Sequence, residues 1–329
     1  MIPNKQANIG SINMTDQELA IKIRGLKKTY KAEGATAEKI ALKGVDLSIP
    51  KGSIFGLLGP NGAGKSTTIN IIAGVVDKTA GSVEVWGFDT IKDTRNAKAN
   101  IGIVPQEVHI DAYFTPFEIL ELYAGYYGIP KEERRSDEIL KAMRLEEQRD
   151  AYTRFLSGGM KRRLLVGKAM VHNPPILVLD EPTAGVDIEI RRGMWDFLRE
   201  LNKQGITIIL TTHYLEEAET LCRNIAIIDG GEIVENTSMK GLLAQLDGET
   251  FVLDLAPHHN DITLDNISSR MIDDHTLEID LQKPQNLNTV FEKLSAQHVE
   301  VLSMRNKSNR LEALFVNLIE HNVSRKKAK

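Results

Sequence analysis

Nine residues, GPNGAGKST at 59–67, restrict the possible folds of this chain more than any other segment. They fit the pattern G-x-x-x-x-G-K-[ST], which needs a buried strand feeding a tight glycine loop that opens directly into a helix. Both flanks are present: IFGLL at 54–58 is an apolar run of strand length, and TINIIAG at 68–74 carries helical apolar spacing. Gly59, Gly62 and Gly64 let backbone amides curve around an anion, and the helix N-terminus adds partial positive charge toward the same point. Pro60, Asn61 and Ala63 complete the cradle. Lys65 is expected to reach the β and γ phosphates of a nucleotide, Ser66 to ligate Mg²⁺ through its hydroxyl, and Thr67 to bond the α phosphate.

The segment ILVLDEPTAGVD at 176–187 makes a matching demand on the same sheet. A buried apolar strand that ends in two carboxylates is costly unless the charges are used. Asp180 at the strand tip is expected to hold Mg²⁺ through its water shell. Glu181 points elsewhere by strand alternation and suits the polarising of an attacking water as general base. A third segment, LSGGMKR at 156–162, puts Ser157, Gly158 and Gly159 at the start of a helix with Leu164, Leu165 and Val166 among its apolar residues. That is a second phosphate-binding end, although Ser-Gly-Gly is also an ordinary loop-to-helix junction. One chain thus has two such ends and a single Lys-bearing cradle.

The 329 residues suit about two domains. AIKIRGL, ALKGVDLSI, GSIFGLLG and SVEVWG read as successive strands, IGIVP as a buried one, and residues 115–172 as mostly helical with a turn around Gly128 and Pro130. PILVLD and ITIILTT resume the sheet around a helix that aligns Met194, Phe197, Leu198 and Leu201. NIAIID and EIVEN form a hairpin about Gly230 and Gly231, and a helix around SMKGLLAQL closes the first domain, with a boundary near 246–249. Beyond it, TFVLDL, TLEIDL, VEVLSM and two helices, one with Leu287, Val290, Phe291 and Leu294 and one with Leu311, Leu314, Phe315 and Leu318, suffice for a small α+β domain without evident chemistry.

Lys and Arg number 41 against 45 Asp and Glu, a formal charge of −4, so no global positive field argues for nucleic acid. No apolar run approaches the ~18–20 residues that span a bilayer. Cys222 stands alone, which rules out an intrachain disulfide framework, suits a reducing cytoplasmic setting and reads as a small buried hydrophobe.

Taken together, residues 20–245 resemble the nucleotide-binding subunit of an ABC transporter, with the family's motifs in order. The resemblance implies that Tyr30 in LKKTY stacks on adenine, that Gln106 in VPQE senses the γ phosphate and Mg²⁺, and that LSGG is the signature. It also implies that Asp187 lies in the D-loop and that His213 in TTHYLEEAE is the switch histidine. The implied fold is α/β, a P-loop cassette with a RecA-like core, an antiparallel β subdomain and a helical subdomain at about 107–172. It lies after a polar leader at 1–19, and before an accessory domain at 250–322 and a basic tail at 323–329. The LSGGMKRR form and TTHYLEEAE are most similar to the ATPases of ABC-2 type exporters. The resemblance further implies a Mg²⁺-dependent ATPase that pairs head to tail with a second copy. Such a subunit sits on the inner face of the cell membrane through separate permease subunits. An importer subunit and a non-transport ATPase of the same family are the alternatives.

Overall fold

The computed structural model describes residues 18–31, 38–244, 248–257 and 262–307, with Leu311, Glu312, Leu314, Phe315 and Leu318 beyond them. The basic tail and nearly all of the polar leader lie outside these residues. The chain divides into two compact units, residues 1–238 and 239–329.

In the first unit, β1 (Leu19–Tyr30) and β2 (Lys39–Pro50) form an antiparallel pair that precedes β3 (Ile54–Leu58). All five residues of β3 are buried. The glycine loop then opens into α1 (Lys65–Ile72), followed by β4 (Ala80–Val85), β5 (Phe88–Asp89), α2 (Thr94–Ala99) and β6 (Ile101–Val104). Three helices follow: α3 (Pro116–Tyr126), α4 (Ser136–Ala142) and α5 (Gly158–Met170). α3 starts where the sequence says a helix should: Thr115 and Glu118 form a reciprocal capping box and Pro116 occupies the first turn. The chain returns to the sheet with β7 (Ile176–Asp180), α6 (Ile188–Lys203), β8 (Thr207–Thr212), α7 (Leu215–Leu221), β9 (Asn224–Asp229) and β10 (Glu232–Ser238).

These strands build two sheets. One is antiparallel, in the order β2-β1-β4-β5. The other runs β10-β9-β3-β8-β7-β6, parallel from β9 to β6, with β10 as an antiparallel edge. A parallel sheet covered on both faces has no solvent side, which is why β3, β7 and β8 read as continuous apolar runs instead of alternating ones. Side chains from both sheets and α1 share one core, among them Ile21, Leu42, Phe55, Ile69, Val83 and Val178. α6 turns Met194, Trp195, Phe197, Leu198 and Leu201 inward, including the four residues that the helical spacing aligned. The helical insertion lies between β6 and β7, as the sequence predicts.

The second unit contains α8 (Met239–Leu243), β11 (Gly248–Leu255), β12 (Ser268–Asp273), β13 (Thr276–Gln282), α9 (Leu287–Ala296) and β14 (Val301–Asn306), in an antiparallel sheet of order β12-β13-β11-β14. Alternate residues Phe251, Leu253, Leu255, Leu277, Ile279 and Leu281 meet Val290 and Leu294 of α9 in a separate core. The division after Ser238 groups α8 with this unit, whereas the sequence suggested that it closes the first domain. Among the described residues, no helix is long and apolar enough to cross a membrane.

Candidate functional site

Because β3, β8 and β7 are neighbours and parallel, their carboxyl ends deliver three loops to one edge of the sheet. Residues 59–64 leave β3, Asp180 and Glu181 end β7, and His213 follows β8. A Cβ on Gly59 would lie 2.2 Å from the Ile228 carbonyl oxygen, and Gly64 takes φ 116°, so the tight path of the loop excludes other residues at both points.

Lys65 is buried, and its ammonium donates to the carbonyls of Gly59 at 2.7 Å and Pro60 at 3.2 Å. Burial lowers its pKa below the ordinary lysine range, while the carboxylates of Glu181 and Asp180 oppose that shift. A cation held only by neutral carbonyls beside two acids gains by meeting phosphate oxygens.

Glu181 has a left-handed backbone, φ 47°, unusual for a residue with a Cβ. Its amide donates to Thr211, at 3.0 Å to the hydroxyl and 3.1 Å to the carbonyl. The same Thr211 hydroxyl donates to Asp180 Oδ1. One β8 side chain therefore fixes the geometry of both acids. The turn sends the Glu181 carboxylate between two partners: Gln106 Nε2 donates to Oε2 at 3.1 Å, and His213 Nδ1 stands 3.2 Å from the same oxygen.

A cavity of about 530 Å³ joins Pro60, Asn61, Gly62, Gly64, Lys65, Ser66 and Thr67 to Tyr30, Gln106, Glu181 and His213. Gly59 and Ala63 belong to the same loop, and Asp180 lies beneath Glu181 through Thr211. Lys39 and Ala41 also line the cavity, although no motif marks either residue in the sequence. Lys39 pairs across β1 and β2 with Tyr30, whose ring is half exposed with the Lys28 ammonium 4.7 Å from its centroid. Lys28 is itself pinned to the Asp77 carbonyl at 2.7 Å, so one face of the ring is taken by a fixed cation.

The signature residues are elsewhere. Ser157 and Gly159 line a different cavity of about 200 Å³ with Arg144, Met160, Arg163 and Ile190, and the two cavities share no residue. Gly158 is exposed beside them, and Asp187, also exposed, starts α6 without a side-chain cap bond. Within one chain, Ser157, Gly158, Gly159 and Asp187 are not brought to the Lys65 cavity.

Among the described residues, no group of three or more His, Cys, Asp or Glu side chains could hold a metal. Ser66 and the Gln106 amide line the cavity and Asp180 lies beneath Glu181, oxygen donors that suit a hard cation keeping most of its shell as water and phosphate oxygen. Cys222 is buried under β3, and burial drives its thiol pKa far up, as expected of an inert hydrophobe.

Residues 42–184 match the protein family described as ABC transporter. The linearmycin resistance ATP-binding protein of Bacillus subtilis is 35% identical over 317 residues, 91% of this chain and 97% of that one. Nod factor export ATP-binding protein I of Ralstonia nicotianae is 40% identical over 213 residues, and the match spans 64% of each chain. A solved dimeric ATP-binding cassette, in a post-hydrolysis state bound to ADP and Pi, superposes with a TM-score of 0.59 at 29% identity, covering 67% of this chain and 98% of that one.

Proposed function

The chain belongs to the ATP-binding subunits of ABC transporters, and from that premise we propose that it hydrolyses ATP as a head-to-tail pair of copies to power export through a separate membrane permease. The observation that carries the hydrolytic reading is the single oxygen of Glu181 that both Gln106 and His213 approach, at the mouth of the cavity that holds Lys65.

In this reading Tyr30 offers its open face to adenine, and the amides of residues 59–67 and the Lys65 ammonium take the phosphates. Mg²⁺, held by Ser66, with Asp180 through water and Gln106 by its amide oxygen, would neutralise charge on the β and γ phosphates. Glu181 orients and deprotonates the attacking water. His213 and Gln106 fix the carboxylate and meet the γ phosphate as its charge redistributes.

Pairing supplies what one chain lacks. Ser157, Gly158 and Gly159 of one copy close on the phosphate cradled by the other, and Asp187 crosses the same interface. The separation of the two cavities within a chain supports this arrangement. Export is supported by the names of the relatives, one for resistance to a compound and one for Nod factor export. A place on the inner membrane face follows from docking on the permease. The domain expected at 250–322 would tune assembly or activity, since its sequence contributes none of the motif residues. A chain ending at Ser238 should still bind ATP, and a folded cassette that does not would contradict that role.

The test is a pair of variants. Lys65→Ala should abolish productive ATP binding, while Glu181→Gln should keep binding and lower turnover by about 10²–10⁴-fold. Hydrolysis by Glu181→Gln at the parental rate would remove Glu181 as the base.

A further inference from the structure

The helix that begins at Ser157 buries a cation for which the hydrolytic scheme has no task. Arg162 on α5 is only 4% exposed. Its Nη1 donates to the carbonyl oxygens of Pro105 at 3.0 Å and Gln106 at 2.8 Å. These are the backbone groups of the loop whose Gln106 side chain reaches Glu181.

A buried guanidinium needs a counter-charge. The candidate is Glu217 on α7, which is fully buried and acts electrostatically on Arg162, partly offsetting the lowering of the guanidinium pKa by burial. Glu217 Oε1 accepts hydrogen bonds from Thr183 Oγ1 at 2.8 Å and Trp195 Nε1 at 3.1 Å. Thr183 lies two residues beyond Glu181, and α7 begins two residues beyond His213. The cation and the anion are thus anchored in all three segments that converge on the Glu181 carboxylate. Each also keeps one buried atom without a protein partner, the Arg162 Nε donor and the Glu217 Oε2 acceptor, and these two are complementary in charge and in hydrogen-bonding role.

We propose that Arg162 is a positioning residue for hydrolysis: with Glu217 as its buried counter-charge, it ties the Gln106 loop to the helix that carries Ser157. This inference rests on the hydrolytic reading above. Ser157 and Arg162 are five residues apart on α5, about 7.5 Å along a rigid axis. A tilt of α5 that brings Ser157 to the nucleotide of a partner therefore moves the Gln106 backbone of its own chain. The contact supplies a physical route by which one site of the pair senses the other. One nitrogen, Nη1, donates to both carbonyls, and the planar guanidinium keeps its direction, whereas a lysine ammonium is a point charge on a flexible stem.

The experiment is a double-mutant cycle on the full chain, with steady-state ATPase and equilibrium ATP binding measured for Arg162→Met, Gln106→Ala and the double variant. Arg162→Lys and melting temperatures are measured beside them. Arg162→Met should lower kcat by about 10-fold or more while the ATP Kd stays within about 3-fold. Because Arg162 acts through Gln106, adding Arg162→Met to Gln106→Ala should cost less than about 2-fold further. Arg162→Lys should recover part of the kcat. Parental kcat in Arg162→Met, or losses that multiply in the double variant, would overturn the role. If the Met variant does not fold, the Lys variant must show lowered kcat at unchanged Kd, and parental kcat in that variant overturns the role equally. A parental chain that binds ATP but never hydrolyses it, alone or with its permease, overturns the hydrolytic reading and this inference together. Multiplying losses in an active parent overturn the inference alone.

Discussion

Two helix N-termini in this cassette suit anions, and they are finished in opposite ways. α1 starts at Gly64, which has no side chain to cap the amides that follow, and the adjoining Lys65 is buried against its own loop. α5 starts at Ser157, whose hydroxyl already accepts from the Met160 amide at 3.3 Å, and its signature residues line a cavity apart from Lys65. The first end has open amides and a buried cation, the groups that the proposed phosphate site needs within one chain. The second is capped by its own chain through a long bond that is easily exchanged. In the proposed pair it adds binding when carried to a phosphate already held by the partner copy. The unequal finish fits the divided site proposed above.

The strongest way to break this comparison is to disable each end in a different chain. Lys65→Ala and Ser157→Arg should each lower ATPase by about 10² or more, the scale of losing a main group that stabilises transition-state charge. A mixed dimer of the two has one site with both defects and one with neither. An equimolar mixture should therefore regain about a quarter of the parental activity, if pairing is random and the sites are independent. No recovery, although light scattering shows mixed ATP-bound dimers, would sink the independent-site version. Parental activity in either variant alone would sink the sharing itself.

Alanine substitutions at glycines sharpen the same contrast at smaller amplitude. At Gly59 the new methyl would meet a backbone oxygen at 2.2 Å, which cannot move without displacing β9. Gly59→Ala should cost on the order of 1–3 kcal/mol of stability and weaken ATP binding at least about 10-fold. Gly159→Ala meets the Ile190 side chain at 2.7 Å, which can shift, so its cost should be smaller. Gly158→Ala meets nothing within 4 Å and should stay within about 0.5 kcal/mol. Melting curves and ATP titrations of the three should rank them in that order. A Gly158→Ala variant as damaged as Gly59→Ala would show that the α5 end is as tightly built as the α1 end.

The parts of this site that were legible in the sequence are those where chemistry and local fold coincide. A glycine loop between a strand and a helix, or two acids at a strand tip, carry their structural context within a dozen residues. The supporting residues do not. Thr211 acts on Asp180 from 31 positions away, and Arg162 on Gln106 from 56, separations that only the packed sheet and insertion bring together. Arg162 did leave a trace, since its place one turn before Val166 puts a cation on the buried face of α5. The exposed edge strand β12 left none: all six of its residues face solvent, so no apolar alternation marks it. Tyr30 was identified through the family resemblance, and its fixed cation, Lys28, shows only in the packing.

The smallest effect concerns the far end of the helix that Ser157 begins. α5 ends at Met170, and His172 just beyond it is hydrogen-bonded at Nε2 to the Ile101 carbonyl, 3.2 Å away, at the start of β6. Its ring stacks on Tyr127 at 3.9 Å, and its Nδ1 is buried without a protein partner. Burial lowers the pKa of this imidazole, an effect that the Ile101 carbonyl only partly offsets. In the unfolded chain the ring takes a proton as pH falls through about 6.5, while the folded protein resists until lower pH. The folded state therefore has its full advantage above about 6.5 and loses it on acidification toward the lowered folded value. His172→Gln keeps a donor but cannot titrate, so the difference between its melting temperatures at pH 7.5 and 5.5 should be smaller than the parental difference by about 1–3 °C. The parental chain and the variant share every other titrating group, so the comparison isolates this one ring. Equal differences would mean that the C-terminal end of α5 is held without the neutral imidazole.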